Sequence, residues 1–253
     1  MVARLNMARP ESYDATVPAS DTHQDSHAGA RHFCDLVRAR VLPGNRRNVF
    51  VAGCGLGHEA LHIRMNLEVP VTGVDIDHRW DPSCGADIDD FELLQESLLD
   101  LPFADNSFDI VFYHHVIEHV SDPEKSLDEL QRILVPGGLI YVGTPNRHRA
   151  VAYFGSAGFD VTIADKIKWN MLDYRARLKG KFRNEYGAHA GFSQKELRQL
   201  LSDRFTAVEF LTSEYLHFKY ESRLPRNVLD LLCSRPLIEV AAPSVYAVGL
   251  KSL

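Results

Sequence analysis

Residues 49–60 have the sequence VFVAGCGLGHEA, in which a glycine-rich turn joins a short apolar run to a helical pattern. The run VFVA has the length and composition of a buried strand, and LGHEALHIRM is typical of a helix. Gly53, Gly55 and Gly57 lie between them, where glycine permits positive φ and lets a ligand approach the backbone at a helix N-terminus. The stretch predicts a strand–turn–helix unit with a ligand at its turn.

Asp75 ends the next predicted strand, VPVTGVDI, where a carboxylate can accept hydrogen bonds from both hydroxyls of a ribose. We therefore expect a ligand that carries an adenosine. The pattern Gly55-x-Gly57-x-x-Ala60, followed by Asp75, satisfies the fingerprint of a nicotinamide dinucleotide enzyme. A turn whose glycines are only structural is the alternative, so the residues downstream must discriminate.

Short β-rich runs alternate with helical patterns through the middle of the chain, which predicts parallel strands joined by crossover helices. The predicted strands are NVFVAG, VPVTGVDI, FELLQES, FDIVFYH and GLIYVG, with a helix in DPEKSLDELQRIL. Pro82 and Gly85 indicate that the second crossover helix is shortened or missing. A helix is predicted over 26–42, and another in FSQKELRQLLSD, where Ser193 and Glu196 form a capping box. FTAVEFLT and SVYAVGLK supply two further strands.

The composition of the 253 residues, 45% apolar and 25% charged, predicts a folded protein. A net charge of −6 argues against a nucleic-acid partner. The four cysteines form no CxxC pair, which favours reduced thiols and a cytoplasmic location. Neither a secretory signal nor an apolar run of membrane-spanning length is visible, so no membrane partner is expected. The oligomeric state stays open.

The segment 146–183 carries nine basic and three acidic residues, a local charge of +6 on a chain of −6. Such a field attracts acidic or phosphorylated molecules, so an acceptor of that kind is one hypothesis. The alternative is that aromatic residues form a small lid core and the cations only solvate it.

Two further stretches carry a family resemblance. LPFADNSFDIV at 101–111 and VIEHVSDPEKSLDELQRILVPGGLIYVGTPN at 116–146, together with the glycine turn, resemble the core of class I S-adenosylmethionine-dependent methyltransferases, the small-molecule "methyltransferase 11-like" group. The resemblance implies an α/β, Rossmann-like sheet of seven strands in the order 3-2-1-4-5-7-6, with the last strand antiparallel and a helical lid insertion.

The resemblance also implies the organisation of one methyltransferase domain over 1–253. Its parts are an N-terminal arm and helix (1–45), a cofactor-binding core (46–145), the lid insertion (146–190) and the C-terminal part of the sheet (191–253). The implied cofactor is S-adenosylmethionine, which leaves as S-adenosylhomocysteine. The cofactor-binding residues carried over from the family are Gly53, Cys54, Gly55, Gly57, Asp75, Ile76, Ser97, Leu98, Tyr113 and His114. Val51 and Ser97 depart from the family, which often has carboxylates at these two positions.

Methyl transfer needs partners held in attack geometry, and a hydroxyl nucleophile benefits from a general base. Histidine is the natural base near neutral pH, and position selects His114, His115 and His189 as the catalytic candidates. Oxygen is the favoured accepting atom and nitrogen the second, on a small or medium-sized molecule. His115, Glu118 and His119 lie at i, i+3 and i+4 and would share a helix face, so a divalent-metal site is an alternative.

Three other functions stay open at this point. The missing carboxylates at Val51 and Ser97 motivate a methyltransferase-fold enzyme that uses its cofactor for cyclisation or decarboxylation. The dinucleotide fingerprint motivates an NAD-dependent dehydrogenase. A non-enzymatic binding partner of another enzyme is the third, because a fold does not fix a function.

Overall fold

A single mixed sheet organises the protein, whose computed structural model describes residues 27–40, 47–152, 162–184 and 190–253. Its strands are β1 (Val49–Ala52), β2 (Val71–Asp75), β3 (Phe91–Gln95), β4 (Phe108–His114), β5 (Leu134–Pro145), β6 (Thr206–Phe210) and β7 (Ser244–Leu250). The strand order is β3-β2-β1-β4-β5-β7-β6, with β1 to β5 parallel and β7 antiparallel to both of its neighbours. The predicted sheet and its order are confirmed.

Helices cover both faces of the sheet. They are α1 (Ala28–Arg40), α2 (His58–Leu67), α3 (Pro123–Ile133), α4 (Ile163–Leu178), α5 (Gln194–Ser202), α6 (Thr212–Tyr220), α7 (Arg226–Cys233) and α8 (Ile238–Ala241). Side chains of α1, α2 and α6 pack on one face, and those of α3 and α5 pack on the other. Every residue of β1 is buried, as expected for a central parallel strand covered on both sides.

Local sequence explains where several helices begin. The Asp122 side chain accepts the backbone N–H of Lys125, and Pro123 occupies the first turn of α3. Ser193 and Glu196 form the capping box that the sequence predicts for α5. These caps fix the residue at which each helix begins. Each helix then leads the chain back to the start of a further strand, so the carboxyl ends of the parallel strands lie at one edge.

Residues 76–90, all of which the structure describes, contain no helix, as Pro82 and Gly85 predict. This loop instead packs on the glycine turn. A Cβ built on Gly57 would lie 2.6 Å from Leu93 and 3.1 Å from the sulfur of Cys84. Gly57 is therefore required because Leu93 of β3 and Cys84 of the loop together occupy the space that a side chain would need.

The insertion that follows β5 contains the long helix α4. Arg149 and Asp173 form a buried ion pair with Nη2 and Oδ2 at 2.8 Å, and the Asn170 amide binds both backbone groups of Ala152. These contacts attach α4 to the segment that leaves the carboxyl end of β5. Among the helices of the described residues, none has the length and apolar character needed to cross a membrane.

Candidate functional site

The carboxyl ends of β1, β2 and β4 meet at one edge of the sheet, where open α/β sheets bind ligands. Gly53, Gly55 and Gly57 all have positive φ in the turn after β1. A Cβ on Gly53 would lie 2.3 Å from Val116, whereas a Cβ on Gly55 would meet no atom within 4 Å. Gly53 is therefore needed for packing, while Gly55 brings bare backbone to the border of open space.

Asp75 is buried at the carboxyl end of β2 and faces this turn. Its Oδ2 accepts the N–H of Gly55 at 2.9 Å, and its Oδ1 accepts the N–H of Asp77 at 3.1 Å. Ile76 is 67% exposed, and its carbonyl is held by the side-chain amide of Gln95 at 3.1 Å. The edge thus presents a fixed carboxylate beside an apolar side chain open to a ligand.

The remaining predicted cofactor residues line this edge less directly. The Ser97 hydroxyl accepts the N–H of Leu99 at 3.2 Å and shapes the turn after β3, and Leu98 is buried beside it. Cys54 is buried, and this burial raises the pKa of its thiol to about 12. Cys54 is therefore a neutral packing residue, because only a thiolate is a strong nucleophile.

The structure places the Tyr113 side chain away from its predicted position. Successive strand residues point to opposite faces, so Tyr113 and His114 separate at the end of β4. The Tyr113 side chain is fully buried on the α3 face, with its hydroxyl 3.0 Å from the hydroxyl of Ser126. Its side chain therefore cannot border a ligand at the cleft, contrary to the prediction, and only its backbone remains at the edge.

His114 lies on the opposite face, enclosed between α1 and β5. Its Nδ1 is 3.1 Å from Oε2 of Glu59, and its Nε2 is 3.4 Å from the hydroxyl of Tyr246. A Cβ on Gly29 would lie 2.3 Å from the ring, so α1 packs directly on it. Both nitrogens already have partners, and His114 is better placed to hold Glu59 than to take a proton from a substrate.

Glu59 is the site residue that the sequence analysis missed. It lies in the first turn of α2, directly after the glycine turn, and its second oxygen, Oε1, is buried without a hydrogen-bond partner in the described part of the chain. Burial alone would raise the pKa of this carboxyl, but the neighbouring His114, His115 and His27 lower it below its ordinary value. An ionised oxygen without a partner is suited to a cationic group of a ligand. A single acid in a first helical turn is common, so nothing in the sequence marked it.

His115 follows β4 with a backbone conformation that is rare for a residue with a side chain. Its φ is 54°, its N–H donates to the carbonyl of Gly143 at 2.8 Å, and 37% of its side chain is exposed. Its Nδ1 lies 3.5 Å from Oε1 of the buried Glu118, whose Oε2 accepts the hydroxyl of Thr144 at 3.0 Å. Strained residues of this kind cluster at functional sites, where the surrounding structure holds them in place.

The electrostatic surroundings favour neutral His115. Partial burial of the ring lowers its pKa, and His114 lowers it further, while Glu118 opposes both effects. Burial would raise the pKa of Glu118, but His115 and His119 hold it below its ordinary value. The arrangement is a neutral imidazole beside an ionised carboxylate, which is the usual composition of a general base and the group that orients it.

The metal hypothesis rested on a helix that does not form. Residues 115–119 are bends and turns because His115 takes a positive φ, so His115, Glu118 and His119 do not share a helix face. Within the described residues, no group of three histidine, cysteine, aspartate or glutamate side chains is arranged to hold a metal ion. His189, the third catalytic candidate, lies outside the described residues.

Comparisons with known proteins agree with this geometry. Residues 50–142 match a family model described as a methyltransferase domain. A probable S-adenosylmethionine-dependent methyltransferase of Mycobacterium tuberculosis is 33% identical over 135 residues, which are 53% of this chain and 47% of that protein. The chain thus spans about half the length of that relative.

Solved structures show the same fold. The YcgJ protein of Bacillus subtilis superposes with a TM-score of 0.54 at 17% identity, covering 88% of this chain and 99% of that one. The [4+2]-cyclase SpnF superposes with a TM-score of 0.52 at 18% identity, covering 88% and 80%. At these identities the likeness concerns the fold alone.

Proposed function

We propose that this chain, whose residues 50–142 belong to the methyltransferase domain family, transfers a methyl group from S-adenosylmethionine to a small or medium-sized acceptor. The observation that carries the proposal is the pairing of Gly55 with Asp75: exposed backbone and a buried carboxylate meet at the edge where parallel strands end. In this proposal residues 46–145 form the cofactor-binding core of one domain, residues 146–190 form its lid, and the protein is cytoplasmic.

The residues at the edge fit the parts of the cofactor. Asp75 would accept hydrogen bonds from the ribose hydroxyls. Its oxygens already accept the N–H groups of Gly55 and Asp77, and Oδ1 lies 3.8 Å from the half-exposed guanidinium of Arg79. Ile76 would cover the adenine ring with its exposed apolar side chain, beside the turn at Ser97 and Leu98. When bound, S-adenosylmethionine supplies a methyl group activated by a sulfonium.

Glu59 would bind the ammonium of the methionine part. The family position often occupied by a carboxylate is here Val51, which is buried among apolar side chains on the α1 and α2 face. Glu59 packs near the same face and keeps one buried oxygen without a partner in the described residues. A carboxylate contributed by the helix would therefore replace the one missing from the strand.

His115 would serve as the general base, and this supports oxygen as the accepting atom. A hydroxyl must lose a proton during the transfer, and a positioned base contributes about 10²–10⁴-fold. Nε2 of His115 would take that proton while Glu118 fixes the ring through Nδ1. Nitrogen is the second candidate atom, because a neutral amine can attack before it loses a proton.

Calorimetry with S-adenosylhomocysteine and with NAD tests the cofactor assignment. We expect S-adenosylhomocysteine to bind and NAD to give no heat. Asp75→Asn should weaken binding by at least tenfold, since a charged acceptor of two hydrogen bonds becomes neutral. Asp77→Asn is the matched control, because Asp77 is mostly exposed and its side chain should not matter. Binding of NAD alone would overturn the assignment in favour of a dehydrogenase.

One observation favours a second candidate. Val51 and Ser97 leave two positions of the site without the carboxylates that relatives often have there. A methyltransferase fold that holds its cofactor for cyclisation or decarboxylation would tolerate such losses. Tritiated S-adenosylmethionine incubated with a panel of hydroxyl and amine acceptors separates the two: label transfer supports methylation, and bound cofactor without transfer to any acceptor supports the second candidate.

A further inference from the structure

Helix α4 exposes a continuous apolar stripe. Its large apolar residues that face solvent follow one another at intervals of four, four, three and four residues, which places them on one side of the helix. Each is between 46% and 89% exposed: Ile163, Ile167, Met171, Tyr174 and Leu178. The hydroxyl of Tyr174 donates to the carbonyl of Ala150, so only its ring contributes to the stripe. The stripe is about 22 Å long at the rise of an α-helix.

Polar contacts on the neighbouring side of α4 fix this orientation. Asp173 is buried in its ion pair with Arg149, and the Asn170 amide binds the backbone of Ala152. Arg177 donates to the carbonyl of Arg149 at 2.8 Å and lies over the ring of Phe182. Because these polar contacts face the body of the protein, the helix cannot turn its apolar stripe inward without breaking them.

Positive charge accompanies the stripe. Lys168, Arg175 and Lys179 are exposed and follow one edge of it along the helix. The only acidic residues of α4 are occupied elsewhere: Asp165 closes the capping box with Thr162, and Asp173 pairs with Arg149. The outward surface of α4 is thus apolar and cationic, on a chain whose net charge is −6.

We propose that α4 docks on an anionic lipid surface, with its apolar stripe in the boundary between headgroups and acyl chains. This combination of an apolar face and flanking cations is what interfacial helices use. A second copy of the chain fits less well, because two such helices would bring their cationic edges together. That no helix of the described residues could span a bilayer concerns only insertion across it, so it does not oppose docking.

The segment that carries α4 begins at the same edge of the sheet as the candidate site. The segment that carries α4 leaves the carboxyl end of β5, and the glycine turn lies at the carboxyl end of β1 in the same parallel set. Docking itself does not depend on the proposed methyl transfer, since it uses only the surface of α4.

Sedimentation with vesicles tests the docking. The protein should pellet with vesicles of phosphatidylcholine and phosphatidylglycerol in 0.1 M NaCl, and not with phosphatidylcholine alone. The double change Ile167→Glu with Met171→Glu should abolish pelleting. The triple change Lys168→Gln, Arg175→Gln, Lys179→Gln should lower the partition coefficient about fivefold per charge, or about 100-fold together.

Matched controls separate docking from general surface effects. Leu231→Glu changes an apolar residue that is 61% exposed on α7, and Lys195→Gln removes an exposed cation on α5; both should leave pelleting unchanged. Circular dichroism checks folding, and the triple change carries the test if the double change unfolds the protein. The proposal is overturned if the parent protein does not pellet with anionic vesicles, or if both stripe variants pellet normally. A dimer in light scattering that the double change dissolves, without vesicle binding, would assign the stripe to a second copy instead.

Discussion

Glu59→Gln isolates the role proposed for the unpartnered carboxylate oxygen. Glutamine preserves the shape of the side chain and can still contact His114, whose Nδ1 lies 3.1 Å from Oε2. It removes the negative charge next to Oε1, which has no hydrogen-bond partner in the described residues. The proposal states that this oxygen binds the ammonium of the methionine part, so the change removes one charge-assisted interaction.

The size of the effect follows from that single interaction. A hydrogen bond to a charged group contributes about 1.5–3 kcal/mol, so S-adenosylhomocysteine should bind about 10- to 150-fold more weakly. 5′-Methylthioadenosine contains the same nucleoside and sulfur but no ammonium. Its dissociation constant should change by less than about twofold. Calorimetry on the parent and variant with both ligands gives the four constants needed.

The outcome has a clear refutation. If both ligands weaken by the same factor, Glu59 supports the glycine turn as a whole and does not bind the ammonium. If neither weakens, Glu59 has no role in binding. Glu68→Gln, an exposed carboxylate at the end of the same helix, is the matched control and should leave all constants unchanged.

Three other predictions use separate parts of the structure. His115→Gln should slow methyl transfer to hydroxyl acceptors by about 10²–10⁴-fold without changing affinity for S-adenosylhomocysteine. Because the pKa of His115 is lowered by burial, the parent should lose rate only at a pH below the ordinary histidine range, and the variant should lack that loss. Burial holds the pKa of His32 at about 4, so on acidification His32 is protonated in the unfolded chain before it is protonated in the folded one. The free energy of unfolding, measured by urea titration, should therefore be complete above pH 6.5 and fall by about 3 kcal/mol towards pH 4. His32→Gln should lack this pH-dependent fall. Arg149→Met removes the guanidinium that pairs with the buried carboxylate of Asp173, which should cost about 3–5 kcal/mol of local stability. Trypsin should then cut α4 at least tenfold faster. Unchanged cleavage would contradict the role of this ion pair in attaching α4 to the rest of the protein.

Much of the sheet could be predicted because its information is local. The central strands are short, apolar on both sides and bounded by turn residues, so their positions follow from composition. Pro82 and Gly85 likewise disfavour a helix through their own backbone geometry, independently of tertiary contacts. Ser193 and Glu196 predict their own contact, because a capping box spans only three residues. The strand order needed the family resemblance, since nothing in one strand specifies its neighbour.

The site was less predictable because it depends on direction and on distant contacts. Which face Tyr113 takes depends on the register of β4, and a shift of one residue reverses it. Glu59 becomes distinctive only when β4 brings His114 beside it. The positive φ of His115 prevents the helix that its spacing with Glu118 predicts. The helices α6, α7 and α8 were also missed, because tertiary packing of Tyr215 and Leu229 outweighs their weak local patterns.

The antiparallel strand β7 has a consequence for synthesis on the ribosome. It pairs with β5 on one side and β6 on the other, yet it is made roughly a hundred residues after β5. At about 5–20 residues per second, the backbone edge of β5 waits some 5–20 seconds for its neighbour, and β6 has no strand to join until the same moment. A nascent chain arrested before Ser244 would therefore carry an open, apolar sheet edge, the feature that chaperones and aggregating partners recognise.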